Sequence, residues 1–189
     1  MVDLTLNAST PLDGLSLSFE GIEIAEEGSR ALVSLAVPNG GAAALADRVK
    51  QAYSVDLPAV GNSTHSKIDD AFLLGMACDQ IFLLFDDPGG DPVAHVENLL
   101  GETAYLVDQS DSWVMLAISG ERARDALERI CPIDLLPGKF AVGHVARTVL
   151  EHHAGIVMRS DTARYLLLSP RSSAKSFAHA VQVSAENVT

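Results

Sequence analysis

Residues 108–137 read DQSDSWVMLAISGERARDALERICPIDLLP, and this stretch decides the fold. Trp113–Ile118 is an apolar run of strand length. After it, Ala123, Ala126, Leu127 and Ile130 recur at the spacing of one helical face. Ser119 is of the residue type that caps a helix start, so the pattern predicts a helix from Gly120 to about Ile130. Cys131-Pro132 stops it, because proline cannot continue the amide ladder. Asp108, Gln109, Ser110 and Asp111 carry turn chemistry ahead of Trp113. The whole stretch is a strand, a tight turn, an amphipathic helix and an exit.

The same pattern occurs once before. Val33, Leu35 and Val37 correspond to Val114, Leu116 and Ile118. At the same offset, Ala42, Leu45, Ala46 and Val49 correspond to Ala123, Ala126, Leu127 and Ile130, and Arg48 to Arg129. The exits Val55-Asp56-Leu57 and Ile133-Asp134-Leu135 match after a short deletion, and Ala94-His95 matches Ala178-His179. The chain therefore reads as an internal duplication. Each half is strand, strand, helix, strands, helix, spanning about 15–101 and 102–185 of a single domain, 1–189.

Working outward, strand-like runs lie near Phe19–Ala25 and Ala31–Val37. Ala71–Ala77 and Ile81–Phe85 form a hairpin across Cys78-Asp79-Gln80. Pro92 opens a short helix to about Leu100, at a position where proline is tolerated. Thr103–Val107, Val145–Glu151, Gly155–Arg159 and Arg164–Ser169 are further strand candidates. A last helix from near Pro170 carries Ala174, Phe177, Val181 and Ala185 on one face. Gly61 to Asp70 reads as a polar loop. Met1 to Asp13 reads as a poorly ordered arm, or one that orders on a partner. Phe72-Leu73-Leu74 and Leu166-Leu167-Leu168 are apolar on both sides, so their sheets need cover on both faces. The fold class is α+β, with antiparallel sheets, helices packed on them, and two halves that cover each other.

Composition limits the function. The chain has 189 residues, 48% of them hydrophobic, and a formal net charge of -12. Its mean hydropathy is +0.20 and its pI about 4.7. Such a chain is globular and repels phosphate backbones and anionic lipid, so nucleic acid and membrane are excluded as partners. No apolar run has membrane-spanning length, and the N-terminus lacks the basic and apolar regions of a signal peptide. The expected location is the cytoplasm. Cys78 and Cys131 have no paired spacing and read as two buried, inert thiols, with a disulfide as the minor alternative.

No catalytic, cofactor-binding or metal-binding residue stands out. His152 and His153 are adjacent in a strand candidate and point to opposite faces, so they cannot share a metal. His65, His95, His144 and His179 lack ligand spacing with Cys or Asp. Asp86, Asp87 and Asp91 lack the alternation and terminal Glu of a calcium loop and read as an acidic turn. Gly40-Gly41 opens a helix without a nucleotide-binding pattern. Ser110 and Ser119 lack the glycine context of a nucleophile elbow. Cys131 sits at a helix C-terminus, where the dipole disfavours a thiolate. Asp108 and Asp111 read as turn and cap groups. Arg122, Arg124 and Arg129 read as ion-pair partners of Glu121, Asp125 and Glu128, or as contacts to an acidic partner.

Three segments of the opening stretch resemble a known family. Asp108-Gln109-Ser110-Asp111, Ser119-Gly120-Glu121-Arg122-Ala123-Arg124 and Cys131-Pro132-Ile133-Asp134-Leu135 resemble the central signature of the gamma subunit of heterotetrameric sarcosine oxidase. Pro170-Arg171-Ser172-Ser173, before a helix with Ser176-Phe177, is similar to that family's C-terminal segment. The match spans roughly 70–183 and is weak before Ala31. One departure is at Cys78-Asp79-Gln80-Ile81-Phe82, where the family often has a Gly-Pro-Asp-Gln-Trp-like hairpin.

The resemblance implies a fold similar to the folate-binding domain of aminomethyltransferases, which is itself built of two related halves. It implies a non-catalytic structural subunit within a complex that demethylates sarcosine to glycine, passes the one-carbon unit to tetrahydrofolate and yields hydrogen peroxide. This chain would carry no cofactor. FAD, FMN, NAD, tetrahydrofolate and zinc would sit on the alpha, beta and delta subunits, with alpha the main contact. Two alternatives stand beside it: a free-standing folate-dependent aminomethyltransferase-like protein, and the equivalent subunit of a related N-methyl amino acid dehydrogenase.

Overall fold

Ala31, Val33 and Leu35 of strand β3 (Arg30–Ala36) face one side of their sheet and Leu32 faces the other; all four are buried. A strand buried on both faces needs two covering layers. The computed structural model, which describes residues 9–189, provides them as helices, sheet, sheet, helices.

The first sheet has the order β1 (Ser16–Phe19), β2 (Ile22–Glu26), β8 (Trp113–Ser119), β11 (Arg164–Pro170), β10 (His153–Asp161), β9 (Val145–Leu150). The second has the order β4 (Ser63–His65), β5 (Phe72–Ala77), β6 (Gln80–Asp86), β3, β7 (Tyr105–Asp108). Every pairing is antiparallel. Helices α3 (Ala123–Glu128) and α4 (Ala174–Glu186) cover the first sheet; Ala126, Leu127, Phe177 and Val181 pack on Ile24, Leu116, Val157 and Leu167. Helices α1 (Ala42–Tyr53) and α2 (Pro92–Leu100) cover the second; Leu45, Val49, Val96 and Leu100 pack on Val33, Leu73 and Leu83. Between the sheets lie Leu32, Leu74, Phe82 and Leu84 against Met115, Met158, Leu166 and Leu168.

The two sheets repeat one plan: β4-β5-β6-β3-β7 against β9-β10-β11-β8-β2, with β1 added at one edge. The backbone hydrogen bonds repeat as well. Gly61 N–H donates to Gly75 O at 2.9 Å, as Gly143 N–H donates to Arg159 O at 2.8 Å. Ser63 N–H donates to Gly143 O at 2.6 Å and Val145 N–H to Gly61 O at 3.0 Å, reciprocal bonds between the halves. The first strands are exchanged. β2 pairs with β8, and β7 pairs with β3, so each half completes the sheet of the other. Each crossover is pinned at its foot, by Glu27 N–H to Met115 O at 3.0 Å and by Gln109 N–H to Leu32 O at 2.8 Å.

The register corrects the expected correspondence. Leu35 pairs with Leu106 and Ile81, and Ile118 pairs with Ile24 and Tyr165. Leu35 therefore matches Ile118, not Leu116. A shift of two leaves every strand side chain on its own face, so apolar alternation cannot detect it. The slack is taken up before the helices: residues 37–41 separate β3 from α1, and residues 120–122 separate β8 from α3.

Other expectations change too. The run at Phe19–Ala25 is not one strand; it turns at Glu20-Gly21, where Gly21 has φ +74°, to form the β1–β2 hairpin. The loop at 61–70 contains β4 and a single 3₁₀ turn, Ile68–Asp70. Helix α3 is shorter than expected, and Ser119 ends β8 rather than capping it. His152 lies in the turn before β10, so only His153 belongs to a strand. Cys78 is exposed at the β5–β6 turn, while Cys131 is buried. Of the polar arm, residues 1–8 lie outside the described residues, and the rest is docked by Glu26, as given below.

Candidate functional site: a cleft at the strand crossovers

The two crossovers, Glu26–Arg30 and Asp108–Trp113, run side by side and leave a cleft of about 360 Å³. Glu26, Glu27 and Arg30 line it from one half, and Ser110, Asp111, Trp113 and Met115 from the other. Arg171, after β11, closes one side. The stretch that decides the fold and the Pro170–Ser173 segment therefore meet at one place.

The second crossover is held by its own polar residues. Asp108 Oδ1 accepts from Ser110 N–H at 2.8 Å, a local turn bond. Ser110 Oγ accepts from Leu32 N–H at 3.0 Å, satisfying a backbone donor of the other half inside the core. Asp111 Oδ1 accepts from Arg171 Nη1 at 3.2 Å; this aspartate is almost fully exposed. Trp113 meets Phe82 edge-on at 6.0 Å.

The first crossover works through Glu26. Its carboxylate accepts from Thr10 Oγ1 at 2.7 Å, Leu12 N–H at 3.0 Å and Gly14 N–H at 2.7 Å. Arg171 Nη2 donates to Ser9 O at 3.0 Å. Residues 9–14 are thereby strapped across the cleft. Glu27 pairs with Arg164 and with Arg30, the latter at 3.5 Å.

Arg30 leads to a second cluster. It pairs with Asp70 and lies 5.6 Å from the Phe72 ring centroid. Asp69 and Asp70 both have left-handed backbone, φ 55° and 45°, which aspartate tolerates better than most residues. Asp70 also meets His65 Nε2 at 2.6 Å, and Asp69 meets His95 Nε2 at 2.8 Å. Partial burial opposes the Asp70 charge, and hydrogen bonds from Arg30 and His65 outweigh it, holding the carboxyl below its usual range. The two histidines stack on Phe72 and Phe85. The His95 pair joins residues 26 positions apart, and the His65 pair depends on the left-handed turn at Asp69-Asp70, so neither shows as a sequence spacing.

The remaining candidates have structural work. Asp91 caps α2, its Oδ1 accepting from Val93 and Ala94 N–H at 2.9 and 3.1 Å. Asp87 Oδ1 accepts from Gly89 N–H at 2.9 Å. Gly41 N–H closes a turn onto Pro38 O at 2.8 Å before α1. Burial pushes the Cys131 thiol up, the direction expected from its place at a helix end but for a different cause. Arg124 pairs with Glu128 along α3 at 3.3 Å. His153 Nε2 meets Ser176 Oγ at 2.9 Å. Ser176 Oγ in turn donates to Ser173 O at 3.0 Å. Among the described residues, no three His, Cys, Asp or Glu side chains are placed to hold a metal ion. The residues missed from sequence are Glu26, whose partners lie 12 to 16 residues back in a segment read as a loose arm, and Arg30, whose partner Asp70 lies 40 residues on. Among the described residues, no helix is long and apolar enough to cross a membrane.

No family model matches the chain. The sarcosine oxidase subunit gamma of Corynebacterium sp. (strain U-96) is 28% identical to it over 184 residues, which make up 92% of this chain and 87% of the relative. The heterotetrameric sarcosine oxidase from Corynebacterium sp. U-96, solved in complex with pyrrole 2-carboxylate, contains a chain that superposes with a TM-score of 0.76 at 23% identity. That superposition covers 91% of this chain and 88% of the other. The glycine cleavage system aminomethyltransferase T from Bartonella henselae superposes with a TM-score of 0.68 at 14% identity, covering 92% of this chain and 56% of that one. At these identities the two superpositions establish the fold. Over nearly its whole length the chain is similar in sequence to that sarcosine oxidase subunit gamma and shares its fold.

Proposed function

We propose that the chain is the gamma-type subunit of a heterotetrameric sarcosine oxidase, with a structural rather than catalytic role. The observation that carries this reading is the end-to-end match in both sequence and fold to one subunit of such an enzyme. The complex would oxidise the N-methyl group of sarcosine, release glycine, pass the one-carbon unit to tetrahydrofolate and reduce oxygen to hydrogen peroxide. FAD, FMN, NAD, tetrahydrofolate and zinc would sit on the alpha, beta and delta subunits, with alpha the principal contact, in a cytoplasmic assembly. The local chemistry supports a scaffold: the crossover carboxylates and Ser110 are engaged in holding segments together, not aligned as nucleophile and base.

Expressed alone, the chain is expected to be colourless. Co-expressed with the other three subunits, it is expected to elute with their flavin absorbance. A yellow, active isolated chain would overturn the reading. The aminomethyltransferase likeness supports a competing reading, folate binding by this chain alone. It covers only 56% of that enzyme, so much of the transferase has no counterpart here. Calorimetric titration with tetrahydrofolate separates the two, and the subunit reading expects no heat at micromolar ligand. In a related N-methyl amino acid dehydrogenase this chain would hold the same place, because the amine would bind on another subunit.

A further inference from the structure

One ion pair of the first half has no counterpart in the second. Leu73 pairs with Leu83 as Val157 pairs with Leu167, which fixes the offset between the halves along these strands. At that same offset Asp69 corresponds to His153, and His95 to His179. In the first half the left-handed turn at Asp69-Asp70 sets the Asp69 carboxylate on His95 Nε2 at 2.8 Å. In the second half the hairpin instead stays paired out to Leu150↔His153. His153 Nε2 meets Ser176 Oγ at 2.9 Å, and among the described residues its buried Nδ1 has no partner. His179 is thus left without the carboxylate that His95 has. A pocket of about 450 Å³ opens there, between α4, the end of α3 and the β9–β10 turn.

The pocket has the two sides that an organic acid needs. Arg129 and His179 line it, and among the described residues neither is in an ion pair; the paired arginine of α3 is Arg124, with Glu128. Glu151, the one acidic residue of the lining, is exposed and pairs with neither. Ile130, Ala180 and Val183 supply an apolar wall. The volume exceeds what one carboxyl group fills and is of the size that takes a small molecule. We propose that this pocket binds a small carboxylic acid, its carboxylate on the Arg129 guanidinium and the His179 imidazole, and its apolar body against Ile130, Ala180 and Val183. The acid supplies from outside the group that Asp69 supplies to His95 from within. An inorganic anion is the poorer occupant, because it leaves the apolar wall uncovered.

The site is independent of the subunit reading, since every residue invoked belongs to this chain, and it is tested on the full-length chain alone. Hexanoate is titrated calorimetrically beside hexanol, which has the apolar body without the charge. The wild type is compared with Arg129→Gln, with His179→Gln, and with Arg48→Gln at the matching position of the first half. The expectation is one-site binding of hexanoate with a dissociation constant on the order of millimolar, and hexanol that binds far more weakly. Arg129→Gln and His179→Gln each weaken hexanoate at least about tenfold, and Arg48→Gln leaves it unchanged. The imidazole resonances of His179 shift with hexanoate, while those of His95, already paired with Asp69, do not. Hexanoate that gives neither heat nor a His179 shift overturns the proposal. Hexanol that binds as tightly as hexanoate overturns it too, as does an affinity that survives both substitutions.

Discussion

Ser110 is the residue on which the meeting of the two halves turns. Its hydroxyl is the acceptor for Leu32 N–H, and Leu32 is fully buried. The equivalent place in the first crossover is Gly28, which has no side chain, so only one of the two crossovers is locked this way. Ser110→Ala leaves a buried donor unsatisfied and is expected to cost about 1–3 kcal/mol by denaturant unfolding. Asp111→Ala removes only an exposed pair with Arg171 and is expected to cost less than about 1 kcal/mol. Asp70 supplies a pH signature. Its carboxyl is held low, so its contribution is complete above the unfolded pKa and is lost as pH falls through the folded value. The stability gap between the wild type and Asp70→Asn should thus be constant above about pH 5 and close on further acidification. A gap that widens in acid would contradict the assignment.

At the scale of elements, α3 shows what patterns can and cannot reveal. Its buried face, Ala123, Ala126 and Leu127, is the one that the helical spacing marks. Its start is set by tertiary contact instead. Arg122 N–H donates to Gly21 O of the β1–β2 hairpin at 3.2 Å and Gly120 N–H to Ala163 O of the β10–β11 turn at 2.9 Å, so neighbouring turns do what a capping side chain would do. Gly120 has φ +115°, and a Cβ there would lie 2.2 Å from Gly21 O. Gly120→Ala should therefore cost more than about 2 kcal/mol and lower the melting temperature, through strain and collision at one atom. The long apolar elements β3, β6, β8, β11, α1 and α4 were legible because burial imposes their periods. Three kinds of feature were not. β1 and β4 are short, the Asp69–His95 and Arg30–Asp70 pairs join distant segments, and the two-residue register shift is silent in a period of two. The departure at Ile81-Phe82 is legible only with the fold in hand: Ile81 packs under the helices and Phe82 between the sheets.

On the scale of the whole molecule, exchange of β2 and β7 means that neither half closes its sheet alone. Unfolding should follow one cooperative transition, with fluorescence of Trp113 at a crossover and far-ultraviolet dichroism coinciding. The same architecture gives the chain a single body of two interlocked sheets, which suits a part that holds others in place. The proposed place in a sarcosine oxidase assembly is open to a direct test. The most direct measurement is co-expression with alpha, beta and delta subunits, followed by size-exclusion mass and flavin absorbance of the fraction containing this chain. The expected result is a single heterotetramer that carries the flavin absorbance and oxidises sarcosine, and a colourless monomer when the chain is made alone. A chain that elutes by itself while the other three subunits form an active enzyme without it would contradict the proposed function.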